Sequence, residues 1–361
     1  MSTPFAARPG AVGTPPEHYG DPIGEQRILA SGSAVVDLSD RDVVTITGPD
    51  RLSWLDSLTS QAVATLAPGV SAETMLLNPN GRVEYVARVV DDGATTWLLM
   101  DTGTGAGFAR FLERMRFMLQ VEVAERTADY ATIGTFGEAP AAAAAPNGIP
   151  LVWVDPWGAV QPGGYQYAQA AHPAEGWTYR EVLVERARLD ELAELPAAGT
   201  LALEALRIAA WRPRAVTELD DRAIPHEFDW LRSAVHLEKG CYRGQETVAK
   251  VHNLGRPPRR LVLLHLDGTD AVLPAAGAEV RLGRPDADGA VVGHVTSAAR
   301  HHELGPIALA LVKRSAEVAS ELTVDADGVP VPAAQEVIVP PTAGATADVP
   351  RLPRLGARPR T

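Results

Sequence analysis

The chain has 361 residues, 46% hydrophobic and 22% charged, with a mean hydropathy of −0.04, the make-up of a soluble protein with a sizeable core and two or three domains. Thirty-three Lys and Arg against 45 Asp and Glu leave a net charge of −12, which excludes a global positive field for nucleic acid or anionic lipid. The longest apolar runs, such as 261–266, fall well short of the roughly 20 residues of a membrane helix, and the N-terminus has no basic start followed by an apolar run, so a cytoplasmic location is expected.

Residues 1–25 are rich in Pro, Gly and small side chains without periodicity, and are expected to form a disordered tail. A β run at Val43–Thr47 ends at Gly48-Pro49-Asp50, where Asp50 is placed to cap a helix whose Leu55, Leu58 and Ala62 share one face. Asn78-Pro79-Asn80-Gly81 reads as a hairpin between Met75–Leu77 and Val83–Val90. Trp97–Met100 is a further strand, and Phe108, Phe111, Leu112, Met115 and Leu119 mark an amphipathic helix. The Ala141–Gly148 stretch reads as an exposed loop before a strand at Leu151–Val154. Strands are expected at Gly164–Tyr167 and Arg180–Val184, then a helix around Leu192 and another, capped by Thr200, over Leu201–Trp211. From Arg259 onward, short alternating runs punctuated by Gly and Pro predict a small separate β-barrel or sandwich. The end is Pro-rich and carries Arg351, Arg354, Arg358 and Arg360, which reads as a solvated tail. The expected units are a tail at 1–25, an α+β domain at 26–135, a second α+β domain at 136–255, the barrel at 256–340 and a Pro/Arg tail at 341–361.

No GxxxxGK[ST], HExxH or GxSxG pattern occurs, which removes the commonest NTPase, zincin and hydrolase readings. The adjacent pair His301-His302 is poorly placed to chelate one metal, because neighbouring side chains diverge on a strand. A single cysteine, Cys241, excludes an internal disulfide, and any iron–sulfur cluster would need ligands from outside one copy of the chain. It stands in Lys239-Gly240-Cys241-Tyr242-Arg243-Gly244-Gln245-Glu246. Two glycines around it suggest a tight turn that exposes the sulfur. Lys239 and Arg243, two residues away on either side, are expected to favour the thiolate and make Cys241 the reactive group.

The string KGCYRGQE at 239–246 resembles the signature of the YgfZ family of folate-binding proteins, relatives of the glycine cleavage T-protein aminomethyltransferases. Leu206-Arg207-Ile208, Ile224-Pro225-His226-Glu227, Gly293–Ser297 and Gly305–Val312 follow in the family's order, so the resemblance covers roughly 28–340. It implies a cloverleaf of ferredoxin-like α+β domains around a central hole with a small C-terminal β-barrel. It implies tetrahydrofolate, or another reduced folate, as cofactor, and Glu227 as the carboxylate that receives the pterin's paired N–H donors. Arg207 and Lys250 become candidates for the anionic glutamyl tail, while Tyr165, Tyr242 and Trp230 could stack on the pterin. Lys239, Arg243 and Gln245 complete the expected cofactor-side motif, with no metal site.

Departures from the transferase pattern are informative. The acidic residue that the aminomethyltransferases carry just after the hairpin is replaced here by Tyr85 and Val86, with Glu84 on the opposite face of the strand. After Arg207-Ile208 the family usually continues Glu-Ala-Gly, whereas this chain has Ala209-Ala210-Trp211. The resemblance therefore implies an accessory protein for iron–sulfur cluster assembly or repair in client enzymes, tRNA-modifying ones included. The partners expected are those clients and a folate, with no direct nucleic acid and no membrane. A tetrahydrofolate-dependent aminomethyltransferase or related one-carbon transferase is the alternative.

Overall fold

Charged side chains interrupt the apolar alternation of several strands, and the fold gathers those interruptions around one central cavity. The computed structural model describes residues 3–269, 272–285 and 289–347. The strands are β1 (Val35–Leu38), β2 (Asp42–Thr47), β3 (Ser71–Leu77), β4 (Val83–Asp91), β5 (Thr95–Met100), β6 (Glu122–Glu125), β7 (Tyr130–Thr135), β8 (Val152–Val154), β9 (Arg180–Glu185), β10 (Ala197–Ala198), β11 (Arg259–Leu266), β12 (Glu279–Leu282), β13 (Val291–His301), β14 (Gly305–Lys313), β15 (Leu322–Ala326) and β16 (Val329–Val337). The helices are α1 (Pro22–Ala30), α2 (Arg51–Leu58), α3 (Gly105–Met115), α4 (Thr200–Ala209), α5 (Ala215–Glu218), α6 (Leu231–Ala234) and α7 (Gln245–Asn253).

Three sheets result. The first has the order β3-β4-β5-β2-β6, the second β10-β1-β7-β9-β8, and β11-β14-β13-β12-β15-β16 close into a barrel. Strand alternation sorts the first sheet's side chains onto two faces. Val44, Ile46, Leu76 and Leu98 pack under α2 and α3 with Trp54, Phe108 and Leu112. Val43, Val90, Trp97 and Leu99 face the second sheet and α4, against Val36, Leu183, Leu203 and Leu206. The hairpin at Asn78–Gly81 forms as expected, Gly81 adopting φ 73° where the turn needs a left-handed residue.

Several expectations change. The N-terminal stretch is placed: Phe5 is fully buried among Val35, Ile133 and Val182, and the Thr3 hydroxyl donates to Asp37 at 2.5 Å. The cause is a single aromatic side chain with a core to enter, not periodicity. Residue 135 is not where the sheets divide, because β1 leaves the first half of the chain to pair with β7 and β10 in the second sheet. Gly164–Tyr167 is irregular, not a strand; its Tyr165 and Tyr167 N–H groups donate to Leu231 O at 3.2 Å and Asp229 Oδ1 at 2.5 Å. A short 3-10 turn, Arg186–Leu192, replaces the helix expected around Leu192. The barrel is not separate, since Leu261, Leu263, Ile307 and Leu309 on its outer face share a core with Ile208, Phe228 and Val248. The arginines expected in the C-terminal tail lie outside the described residues.

Candidate functional site: a clamped thiol loop beside a charged cavity

The loop bearing Cys241 is bolted to the first sheet's hairpin by two glycines. A Cβ on Gly244, whose φ is 84°, would lie 2.6 Å from the Asn78 carbonyl oxygen, and one on Gly81 would lie 2.8 Å from the Thr247 side chain. Only hydrogen at both positions allows the two backbones this close. Gly244 then starts α7, and Cys241 is left exposed with a free thiol.

Both neighbouring cations are committed elsewhere. The Lys239 ammonium donates to the carbonyls of Asp56, Thr59 and Gln61 at 2.6–2.8 Å and lies 3.3 Å from the Asp56 carboxylate. It thereby closes the C-terminal end of α2, where helix carbonyls lack partners. Burial lowers its pKa against the pull of Asp56. Arg243 pairs with Glu84 at 2.7 Å and stacks over Phe111 at 5.5 Å. The expected turn and exposure of the sulfur are present, but each charge already answers a carboxylate. Gln245 Nε2 donates back to the Lys239 carbonyl at 3.2 Å. Tyr242 is buried, its hydroxyl has no partner among the described residues, and burial pushes its pKa up.

The central cavity lies between the first two sheets and α4, with about 60 Å³ of free volume, room for a few waters. Its wall includes Glu73, Val86, Arg88, Asp155, Glu181 and Arg212. Arg212 bridges two acids, donating to Glu73 at 2.6 and 3.2 Å and to Asp155 at 2.9 Å. Trp230 Nε1 and the Ser233 hydroxyl also donate to Glu73, at 3.0 and 2.9 Å, and Trp177 Nε1 donates to Asp155 at 2.9 Å. Burial raises the Asp155 pKa against the pull of Arg212. Burial would also raise Asp101, but Arg88, 3.0 Å away, and Arg41 hold its carboxyl well below the usual range. Glu181 is fully buried, pairs through Oε1 with Arg41 and, at 3.2 Å, with Arg88, and its Oε2 has no partner among the described residues.

The remaining expected ligand residues take other places. Glu227 is fully buried and both its oxygens accept from Arg259, Oε1 from Nε at 2.9 Å and Oε2 from Nη2 at 2.8 Å. It is not part of the cavity wall. Arg207 does line the cavity, yet its guanidinium is held by Glu204 and by Glu218 at 3.2 Å. Trp211, where the resemblance leads to an expected glycine, adopts φ 57° and packs its buried ring against His172 at 5.1 Å. Tyr165 meets the rings of Tyr167 and His252 edge-on at 5.2 and 4.7 Å, Trp230 borders the cavity, and Lys250 is exposed on α7. At the position where the resemblance implies that an acid is missing, Tyr85 packs on Phe108 at 5.3 Å while Val86 faces the cavity.

Sequence reading missed Glu73, Arg88, Glu181, Asp155 and Arg212. For the first three a signal existed: one charged residue inside an apolar β run, which is costly unless buried partners await it.

Comparison with known proteins places this arrangement. Over 91% of the chain it superposes on 94% of the glycine cleavage system aminomethyltransferase T of Bartonella henselae, with a TM-score of 0.70 at 19% identity. The fold is therefore the α+β aminomethyltransferase fold with its closed C-terminal barrel. Residues 259–341 match the glycine cleavage T-protein C-terminal barrel domain. An aminomethyltransferase of Symbiobacterium thermophilum is 26% identical over 78% of each chain, and a putative chloroplastic transferase of Arabidopsis thaliana is 25% identical over 82% of this chain and 69% of its own length. The mitochondrial iron–sulfur cluster assembly factor IBA57 homologue of Mycosarcoma maydis is 25% identical over 63% of this chain and 57% of its own. The chain is thus homologous to aminomethyltransferases and to an iron–sulfur assembly factor.

Proposed function

We propose that the chain is a tetrahydrofolate-binding accessory protein for assembly or repair of iron–sulfur clusters in client enzymes, tRNA-modifying ones among them, acting from the cytoplasm with Cys241 as its reactive group. One observation carries the reading: an exposed thiol on a glycine-clamped loop, in a chain with Tyr85 and Val86 where the resemblance implies that an aminomethyltransferase would carry an acid. A positioned acid or base is worth about 100- to 10,000-fold in rate, so its absence weighs against transferase chemistry. Similarity to an assembly factor supports the client side of the proposal.

The cavity residues suit a reduced folate in two respects. Glu181 Oε2 is a buried acceptor without a partner, able to take the pterin's N–H donors. Arg214, with an unpartnered Nε, could meet a glutamyl carboxylate. In this reading Glu181 takes the acceptor role expected of Glu227, whose two oxygens are both already engaged by Arg259. The folate, when bound, would supply a one-carbon carrier. The free volume is smaller than a pterin, so binding should be accompanied by side-chain rearrangement.

The deciding experiment is restoration of an iron–sulfur client enzyme in cells lacking the protein. Cys241→Ala should fail to restore it; full restoration overturns the role of the thiol. Titration with tetrahydrofolate should show binding that Glu181→Gln weakens. A second reading, a tetrahydrofolate-dependent aminomethyltransferase, is favoured by the similarity that spans 78% of both chains. Turnover of an aminomethylated carrier protein would establish it, and its absence would remove it.

A further inference from the structure

Two arginines stand side by side at the start of β11, and strand alternation sends them to opposite faces. Arg259 points out of the barrel, where its guanidinium meets both Asp220 and Glu227 at 2.5–2.9 Å. Arg260 shares the inward face with Val262, Leu264 and Leu266, which pack among Val312, Val324 and Val331. It is fully buried, yet it meets no carboxylate. Its Nη2 donates to the Ala316 carbonyl at 3.0 Å and to Gln335 Oε1 at 2.9 Å, while Nε and Nη1 have no partner among the described residues. A guanidinium does not shed its proton, so an unpaired one in an apolar interior is costly. Burial, with no neighbouring charge acting against it, lowers the Arg260 pKa.

We propose that this end of the barrel is a binding site for a small oxyanion, a carboxylate or a phosphoryl group, with Arg260 as its central donor. Both acceptors that Arg260 now has are neutral, and a charged one makes hydrogen bonds roughly twice as strong. The cover over the site is the loop 314–321. Its Ala316 carbonyl rests on Arg260, its Glu317 carbonyl accepts from Gln335 Nε2 at 2.9 Å, and Ser315, Glu317, Val318 and Ala319 are exposed. The acids of this loop do not serve the guanidinium: Glu321 pairs with Arg284 at 2.8 Å, and Glu317 lies in solvent. Lys313 and Arg314 at the foot of the loop are exposed, and the Arg314 side chain has no partner among the described residues, so an incoming anion meets positive charge at the rim. It enters as the loop lifts, replacing the Ala316 carbonyl and engaging the two idle donors.

The test is thermal melting of the full chain in chloride, inorganic phosphate and acetate at equal ionic strength. Phosphate or acetate should raise the wild-type midpoint by about 2 °C or more above chloride, and the anion that does so tells a phosphoryl group from a carboxylate. Arg260→Met should abolish that rise while melting in chloride close to the wild type, because an apolar side chain replaces an unpaired charge. The general salting-out action of phosphate is common to both chains and cancels in the comparison. Lys313→Ala/Arg314→Ala, changed at exposed positions, should weaken the apparent affinity about threefold or more. No rise above chloride with either anion, or an equal rise in Arg260→Met, overturns the proposal. If Arg260→Met does not melt cooperatively, Arg260→Lys takes its place, keeping the charge without the fork of donors. Calorimetric titration with the same anions should then show at least about a tenfold weaker affinity, and wild-type affinity in Arg260→Lys likewise overturns the site.

Discussion

The cavity wall and the thiol loop handle charge in opposite ways. Around the cavity, Arg41, Arg88, Arg207, Arg212 and Arg214 face Glu73, Asp101, Asp155, Glu181 and Glu204, a near-neutral lattice in which Arg212 serves two carboxylates at once. In the loop, Lys239 and Arg243 each answer a single acid on another element, Asp56 and Glu84, and the sulfur between them is left to solvent. Cations close to a group in sequence are not thereby close to it in function. What the loop's cations do is fasten it to the first sheet and to α2.

The largest test of this contrast removes the shared cation. Arg212→Met strands Glu73 and Asp155 without a counter-charge and should destabilise the protein by about 3–5 kcal/mol, seen as a lowered urea midpoint. A loss below about 1 kcal/mol would mean the lattice is not coupled. A second test uses pH. His226 is buried, its Nε2–H donates to the Val248 carbonyl at 3.0 Å, and burial lowers its pKa to about 3. Its contribution is complete above the unfolded value near 6.5 and is lost as pH falls toward 3, at about 1.4 kcal/mol per pH unit within that window. His226→Gln should flatten that part of the stability profile, and an unchanged slope would remove His226 as its source. Gly244→Ala forces a methyl group against Asn78 in a left-handed conformation and should cost about 1–3 kcal/mol, with faster hydrogen exchange around residues 78–81. Arg243→Ala, breaking a half-exposed pair, should change stability by no more than about 1 kcal/mol and leave the alkylation rate of Cys241 within about twofold. A tenfold fall in that rate would show that the guanidinium governs the thiol after all.

What could be read from the sequence were features written in neighbouring residues. The hairpin was legible because Asn-Gly supplies the turn, α3 because Phe108 and Leu112 fall one turn apart, and the barrel because its strands alternate. Features written across the chain were not legible. The β1–β7 pairing joins residues about a hundred positions apart, and Lys239 finds its carbonyls about 180 residues upstream. Cys241, Glu227 and Arg207 stood out through a motif, and a motif does not disclose that Arg259 occupies both oxygens of Glu227. Of the cavity residues that were missed, Glu73, Arg88 and Glu181 alone left a local trace, a charge where a strand should be apolar.

The first turn of α4 depends on the start of the chain. Thr200 and Leu201 donate their N–H groups to the carbonyls of Pro16 and Glu17 at 3.0 and 3.1 Å, Gly199 donates to Glu25 at 2.8 Å, and Gly199 lies so close to Glu17 that a Cβ there would collide with it. The same helix carries Leu203, Glu204 and Arg207 into the cavity wall. The stretch around residues 16–25 is thus a brace for the central cavity, and an N-terminal deletion that removed it would be felt some 180 residues away as a loosened cavity.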